Sequence, residues 1–365
     1  MPELADIFRR HGPEYRSKFA GRMPPSHLKA MEDIQNCRTE SMGGHVYLCD
    51  QCGGTRYSYH SCKNRHCPKC GNESADLWLK TQMTLLLQEN YFLVTFTLPA
   101  GLRDLARSNQ KSVYDLLFTA SSEALKNLAT DPKFLGGRIA MIGVLHTWGR
   151  DLSYHPHVHY IVPGGCLSPD DRWVPSGAKF FVPLRALSII FRAKIRDGLE
   201  KLGLLDSVDP KIWKKPWVIH FKPVGDGEAA LKYLAPYVYR VALSNNRIEH
   251  VTDTSITFRY RESDSGILRS MTLAPLEFIR RFLQHVLPNG FHKVRYYGLL
   301  SPSNRKNLGL LQKILSTDSV LEAILHSSES GTEQPQKPET ILCPHCGSTM
   351  RLIKTIRVSR TRGPP

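Results

Sequence analysis

The sequence has no run of apolar residues long enough to cross a bilayer, which takes roughly 20 in a helix. Its first residues, Met1-Pro2-Glu3-Leu4-Ala5-Asp6, lack the charged-then-apolar pattern of a secretory signal. These absences predict a cytoplasmic protein without a membrane partner, in a compartment that keeps thiols reduced. Its nine cysteines then read as metal ligands rather than disulfides. Acid is also scarce, with 33 Asp and Glu against 49 Lys and Arg, a formal net charge of +16. A basic excess of this size favours an acidic partner, nucleic acid foremost. No repeat of solenoid spacing occurs, and no helicase-type phosphate loop is present. The 365 residues suffice for two or three domains and a sizeable core.

The cysteines are not spread evenly. Six lie between Cys37 and Cys70, two at Cys343 and Cys346, and Cys166 stands alone. Cys49 and Cys52 are followed, after 14 residues, by Cys67 and Cys70. Two C-x2-C knuckles at this spacing match a tetrahedral structural zinc site, whose soft thiolate ligands suit that ion. Cys37, His45, Cys62 and His66 remain as ligands for a second zinc or as bystanders to a single one. Lys63, Arg65 and Lys69 make the knuckles basic, as a DNA-contacting module requires. Cys343-Pro344-His345-Cys346 reads as half a knuckle, completed by His345, by a partner or not at all.

The densest chemistry lies in Tyr154-His155-Pro156-His157-Val158-His159-Tyr160-Ile161-Val162. The stretch reads as a β-strand, whose successive side chains point to opposite faces. His157 and His159 therefore share a face, as a divalent-metal ligand pair does, while Val158 anchors the strand in the core. Residues 139–147 read as the preceding strand, near enough in sequence to pair with it. That pairing offers His146 as a third ligand; His155 has the same parity but precedes Pro156.

Further strands are expected at 91–98, 217–221, 255–261 and 271–273, with helices at 73–90, 109–129, 184–203, 226–244, 276–286 and 303–325. In the 226–244 helix, Tyr233 and Tyr237 are four residues apart and share one face; Lys232 and Arg240 flank them. Pro236 is expected to disturb the helix locally. A lone Tyr-x3-Tyr is ordinarily part of a buried stripe. Beside a metal-polarised electrophile the same phenols are nucleophile candidates. Residues 316–340 end in a polar linker, and 341–365 carry the half knuckle and a tail of Arg351, Lys354, Arg357, Arg360 and Arg362, suited to nonspecific DNA contact.

Together these motifs resemble the two-tyrosine rolling-circle transposases of the insertion sequence ninety-one type, members of the HUH endonuclease superfamily. The resemblance rests on Pro156-His157-Val158-His159, on Tyr233-Leu234-Ala235-Pro236-Tyr237 with Arg240 through Ile248, on Asn64-Arg65-His66-Cys67-Pro68-Lys69-Cys70, and on Phe278-Ile279-Arg280-Arg281-Phe282 with His285-Val286-Leu287-Pro288. It covers roughly residues 30–315. It implies an α+β fold: an antiparallel palm-like sheet with the histidines on a central strand, helices outside, and the tyrosine helix across the metal face, preceded by the cysteine-rich zinc module. The implied domains are 1–72 for the zinc module and 73–315 for the nuclease. The implied activity is nicking and rejoining of single-stranded DNA at the ends of a mobile element, with Tyr233 and Tyr237 as alternating nucleophiles. Mg2+ or Mn2+ would sit on His157, His159 and His146, and one or two Zn2+ in the N-terminal module. The partners would be the element's DNA ends and target DNA in the bacterial nucleoid. Lys63, Arg65, Lys232, Arg240, Arg247, Arg280 and Arg281 are the candidate DNA contacts. A replication initiator or relaxase would share the chemistry, whereas a zinc-dependent DNA-binding regulator would need neither the histidines nor the tyrosines.

Overall fold

A computed structural model of the chain describes residues 1–70, 78–177, 182–239, 241–262, 265–323 and 341–358. The elements in order are α1 (Leu4–Phe19), α2 (Pro25–Asn36), β1 (Gly44–Leu48), β2 (Thr55–Tyr59), β3 (Asn90–Thr97), α3 (Arg103–Ser108), α4 (Gln110–Thr130), β4 (Ala140–Trp148) and β5 (Tyr154–Pro163). There follow β6 (Gly165–Leu167), β7 (Trp173–Pro175), α5 (Leu184–Lys201), β8 (Ile219–Asp226), α6 (Gly227–Tyr239), β9 (Ile248–Val251), β10 (Ile256–Arg261), β11 (Leu268–Leu273), α7 (Pro275–Leu283), β12 (Val294–Gly298), α8 (Arg305–Ala323) and β13 (Arg351–Ile356). No helix of the described residues is long and apolar enough to cross a membrane.

The main sheet has the order β12-β4-β5-β3-β8, antiparallel throughout. The α+β architecture is therefore as expected, and the histidine strand β5 is central. Alternation along β5 sends Val158, Tyr160 and Val162 to one face, where they meet Tyr114, Leu117 and Phe118 of α4 and Phe191 of α5. That face is packed without slack. A Cβ on Gly143 of β4 would lie 2.6 Å from the Tyr160 ring, so the residue there has to lack one. The opposite face carries Ile142, Val144 and Ile161, covered by Leu231 and Leu234 of α6 and Leu308 and Leu311 of α8.

α6 departs from the sequence expectation at its C-terminal half. It runs through Pro236 without a break and stops at Tyr239. The proline lacks the N–H that would bond the carbonyl four residues back, and the helix ends three residues beyond it. The linker at 324–340 lies outside the described residues, as do 71–77 at the start of the helix expected from 73 and residues 359–365 of the basic tail.

Residues 1–70 have no core of their own. Leu4, Ile7 and Phe8 of α1 pack with Phe278, Ile279 and Phe282 of α7 and with Phe258 of the β9–β10–β11 sheet. Cys37, Cys67 and Cys70 belong to the same apolar cluster. The C-terminal segment is not a separate appendage either. β13 pairs antiparallel with β1, making a three-stranded sheet of order β13-β1-β2.

Candidate active site and cysteine clusters

The β4–β5 register sets His146 directly opposite His157. His159 follows on the same face. The three imidazoles each bring one nitrogen into a cluster whose atoms all lie within 4.8 Å of one another. Neighbours fix which nitrogen that is. The Nδ1–H of His157 donates to the His155 carbonyl at 2.6 Å. Nδ1 of His159 lies 2.9 Å from Thr95 Oγ1, and Thr95 is its ladder partner on β3. With Nδ1 engaged in His157 and His159, Nε2 of each is the nitrogen left to face a metal, an arrangement that orients metal-binding histidines. Burial holds His157 in its neutral form, lowering its pKa to about 4 with His155 and Arg103 also contributing. Burial, then the proximity of His157, pushes His159 well below the usual imidazole range. Neutral imidazole is the form that takes a metal.

The donor set of three imidazoles fits a divalent ion with open positions, leaning toward the borderline ions that imidazole prefers. His155 is not part of it, since Arg103 Nη2 donates to its Nδ1 at 2.6 Å. Sequence reasoning missed Thr95. Its signal is a buried hydroxyl in the mainly apolar run Tyr91–Phe96 of β3. It also missed His220, which lies across from Thr95 on β8, and Lys222 two residues on.

α6 packs on the histidine-bearing face, since Leu231, Leu234 and Val238 meet Ile142, Val144 and Ile161, and Ile161 has the parity of His157 and His159. Tyr233 is half-buried against the same cluster. Lys222 Nζ sits 5.6 Å from its ring centroid. Tyr237 is in the same helix one turn on, with its side chain outside the described residues; Arg240 lies outside them altogether.

The cysteines regroup relative to the expected pattern. Cys37, Cys62, Cys67 and Cys70 form one cluster, and Cys49, Cys52, Cys343 and Cys346 another. The C-x14-C spacing that joined Cys49 and Cys52 to Cys67 and Cys70 is misleading because a hairpin intervenes. Cys49 and Cys52 sit in its turn, while Cys37 and Cys62 flank its open end. Five-residue strands separate the two ends by roughly 17 Å at about 3.4 Å per residue. His45 and His66 are not ligands in either group. His45 Nε2 is 3.3 Å from His60 Nε2, and His66 Nε2 accepts the Leu287 N–H at 3.2 Å, tying the cysteine module to the segment after α7.

Most of the candidate DNA contacts are committed within the protein. Arg247 donates to the carbonyls of Arg259, Ala242 and Arg150 at 2.7, 3.4 and 2.5 Å. Arg280 and Arg281 both bind Glu277, Lys232 binds Glu228, and Arg65 donates to the Phe291 carbonyl. Lys63 is exposed, at a positive φ of 52°. An open cavity of about 440 Å³ is lined by Arg150, Arg247, Arg259 and Arg261 with Asn246, Tyr260 and Leu268, and no acid. Arg150, Arg247 and Arg261 bond to carbonyls there, while Arg259 also pairs with Glu249 at 3.5 Å, which leaves the lining positively charged.

Comparison with known proteins fits this arrangement. The family model Y2_Tnp, described as "Putative transposase", matches residues 140–307. A transposase zinc-binding domain model matches residues 7–98. "Putative transposase y4qJ" of Sinorhizobium fredii is 41% identical over 326 residues, covering 84% of this chain and 82% of that one. The transposase for insertion sequence element IS801 of Pseudomonas savastanoi is 29% identical over 73% of this chain and 68% of its own. Among solved structures, the conjugative relaxase TrwC in complex with mutant oriT DNA aligns with a TM-score of only 0.25 and 17% identity, over 30% of this chain and 44% of that one.

Proposed function

The chain belongs to the IS91 family of transposases, and from that premise we propose that it nicks and rejoins single-stranded DNA at the ends of a mobile element through 5′-phosphotyrosine intermediates. The observation that carries the proposal is the three-imidazole cluster, on the same sheet face as the helix that bears both tyrosines.

His146, His157 and His159 would hold Mn2+ or Mg2+, which supplies polarisation of a non-bridging phosphate oxygen and orientation of the scissile group. The phenol of Tyr233 or Tyr237 attacks phosphorus. A Tyr O–P bond forms, the P–O3′ bond breaks, and the 3′ oxygen leaves with a proton as a free hydroxyl. The phosphodiester energy is kept in the phosphotyrosine, so a 3′-hydroxyl can reverse the step and expel the phenol without ATP. A free phenol has a pKa near 10, so it has to lose its proton as the bond forms. Two tyrosines on one helix allow two strand ends to be held in turn. The arginine-lined cavity beside β10 supports backbone contact with the DNA.

The test is cleavage of a 5′-labelled single-stranded oligonucleotide carrying the element terminus, with and without Mn2+. Metal-dependent nicking, abolished in the Tyr233→Phe/Tyr237→Phe variant, is expected. Tight DNA binding with no nicking under any metal would instead favour a DNA-binding regulator.

A further inference from the structure

We propose that the chain closes on itself through a second tetrathiolate zinc site, made by Cys49 and Cys52 from the N-terminal module and Cys343 and Cys346 from the far end of the sequence. The two halves would form a single zinc ribbon. Cys343 and Cys346 lie outside both stretches matched by the family models.

The first support is the thiol geometry. Cys49 Sγ is 3.4 Å from Cys346 Sγ, and Cys52 Sγ is 3.5 Å from Cys343 Sγ. All four sulfurs lie within 4.8 Å of one another. Tetrahedral thiolates at about 2.3 Å from zinc stand roughly 3.8 Å apart, close to what is seen.

The second support is that the two turns are copies of each other. Each reads Cys-x2-Cys-Gly. In the first, the Gly53 N–H donates to the Cys49 carbonyl and the Cys49 N–H to the Gly54 carbonyl, both at 2.9 Å. In the second, the Gly347 N–H donates to the Cys343 carbonyl at 2.9 Å and the Cys343 N–H to the Ser348 carbonyl at 2.8 Å. Gly53 and Gly347 adopt φ of +69° and +74°, a left-handed conformation that glycine takes at little cost. Two matching knuckles presenting four thiols to one point are half-sites of one metal.

The third support is how little else holds this part together. The apolar cluster here consists of Cys49, Cys343 and Met350, with Tyr47 and Ile341 beside it. A core that small does not fix a three-stranded sheet without a disulfide or a metal. Besides the β1–β13 backbone ladder, the side-chain contacts among the described residues are exposed and polar: Arg351 with Asp50, Arg56 with the Leu342 carbonyl, Gln51 with Ser348, and Thr355 with His45. Metal binding is then what docks β13 onto β1, so the last strand is part of the N-terminal module only in the loaded protein.

Cobalt(II) reconstitution of the full chain tests this, because sulfur-to-cobalt charge transfer reports thiolate sites and is silent on the three histidines. The intensity should correspond to two tetrathiolate sites. Cys343→Ser/Cys346→Ser should lose half of it, and Cys49→Ser/Cys52→Ser should lose the same half. All four substitutions together should lose no more than either pair. The signal of the Cys37 cluster serves as an internal control for folding. Cys346→His keeps a ligand, and should preserve the stoichiometry while shifting half of the visible cobalt bands toward a mixed sulfur–nitrogen spectrum. Full intensity in Cys343→Ser/Cys346→Ser, additive losses from the two pairs, or an unshifted Cys346→His spectrum would each overturn the shared site.

Discussion

Thr95 Oγ1 lies 2.9 Å from His159 Nδ1 across a rung of the β3–β5 ladder. In the proposed metal site, this buried hydroxyl is the group that orients the His159 ring. Thr95→Val keeps the shape of the side chain and removes the bond. By analogy with other outer-shell partners it should weaken metal affinity by about 10- to 100-fold. A Mn2+ titration of nicking, or of direct binding, measures this. An unchanged midpoint would show that the ring is oriented by packing alone.

His146 and His155 make a controlled comparison. Both flank His157, but only His146 contributes to the cluster, while His155 accepts from Arg103. His146→Ala should raise the Mn2+ requirement further than Thr95→Val does. His155→Ala should leave metal affinity near that of the parent. The reverse ranking in the same titration would move the site toward the N-terminal end of β5.

Gly143 tests the opposite face of the same sheet. Its missing Cβ leaves room for the fully buried Tyr160 ring, which a methyl would approach to 2.6 Å. Gly143→Ala should destabilise the fold by about 1–3 kcal/mol, the usual cost of overpacking a core. Urea denaturation gives the value, and a change within error of zero would mean that Tyr160 has space to retreat.

Glu277 gives a pH dependence with a definite sign. Bonds from Arg280 and Arg281 hold its carboxyl down to about 2. A carboxyl lowered in the folded state contributes stability above its unfolded pKa, near 4.3, and loses it as pH falls toward 2. The group is partly exposed, so the contribution is modest, roughly 1 kcal/mol or less. Thermal melts between pH 5 and pH 3 should show a steeper loss of Tm in the parent than in Glu277→Gln. Parallel curves would assign no net value to the pair.

What the sequence made legible follows from the range of each signal. The histidine face of β5 is a local matter of strand parity, and His146 followed from the short connection between adjacent strands. The cysteine partners were not legible in the same way. Cys49 and Cys52 are met by Cys343 and Cys346 from the other end of the chain, and a spacing rule sees only the near candidates Cys67 and Cys70. The Cys-x2-Cys-Gly pattern gives no help, because Cys67 to Gly71 carries it as well as Cys49 to Gly53 and Cys343 to Gly347. The arginines show a different limit. Arg247, Arg280 and Arg281 read as surface charge, yet their partners are backbone carbonyls and Glu277, and a carbonyl acceptor leaves no mark in sequence. The helix through Pro236 ends at Tyr239 rather than near 244, a boundary that periodicity alone does not set.

The most direct measurement is mass spectrometry of the protein after incubation with a single-stranded terminus oligonucleotide and Mn2+, followed by nuclease and protease digestion. The account predicts a 5′-phosphonucleotide on the peptide containing Tyr233 or Tyr237, and no adduct when His157 and His159 are both alanine. Cleavage that leaves those peptides unmodified and persists in Tyr233→Phe/Tyr237→Phe would contradict it.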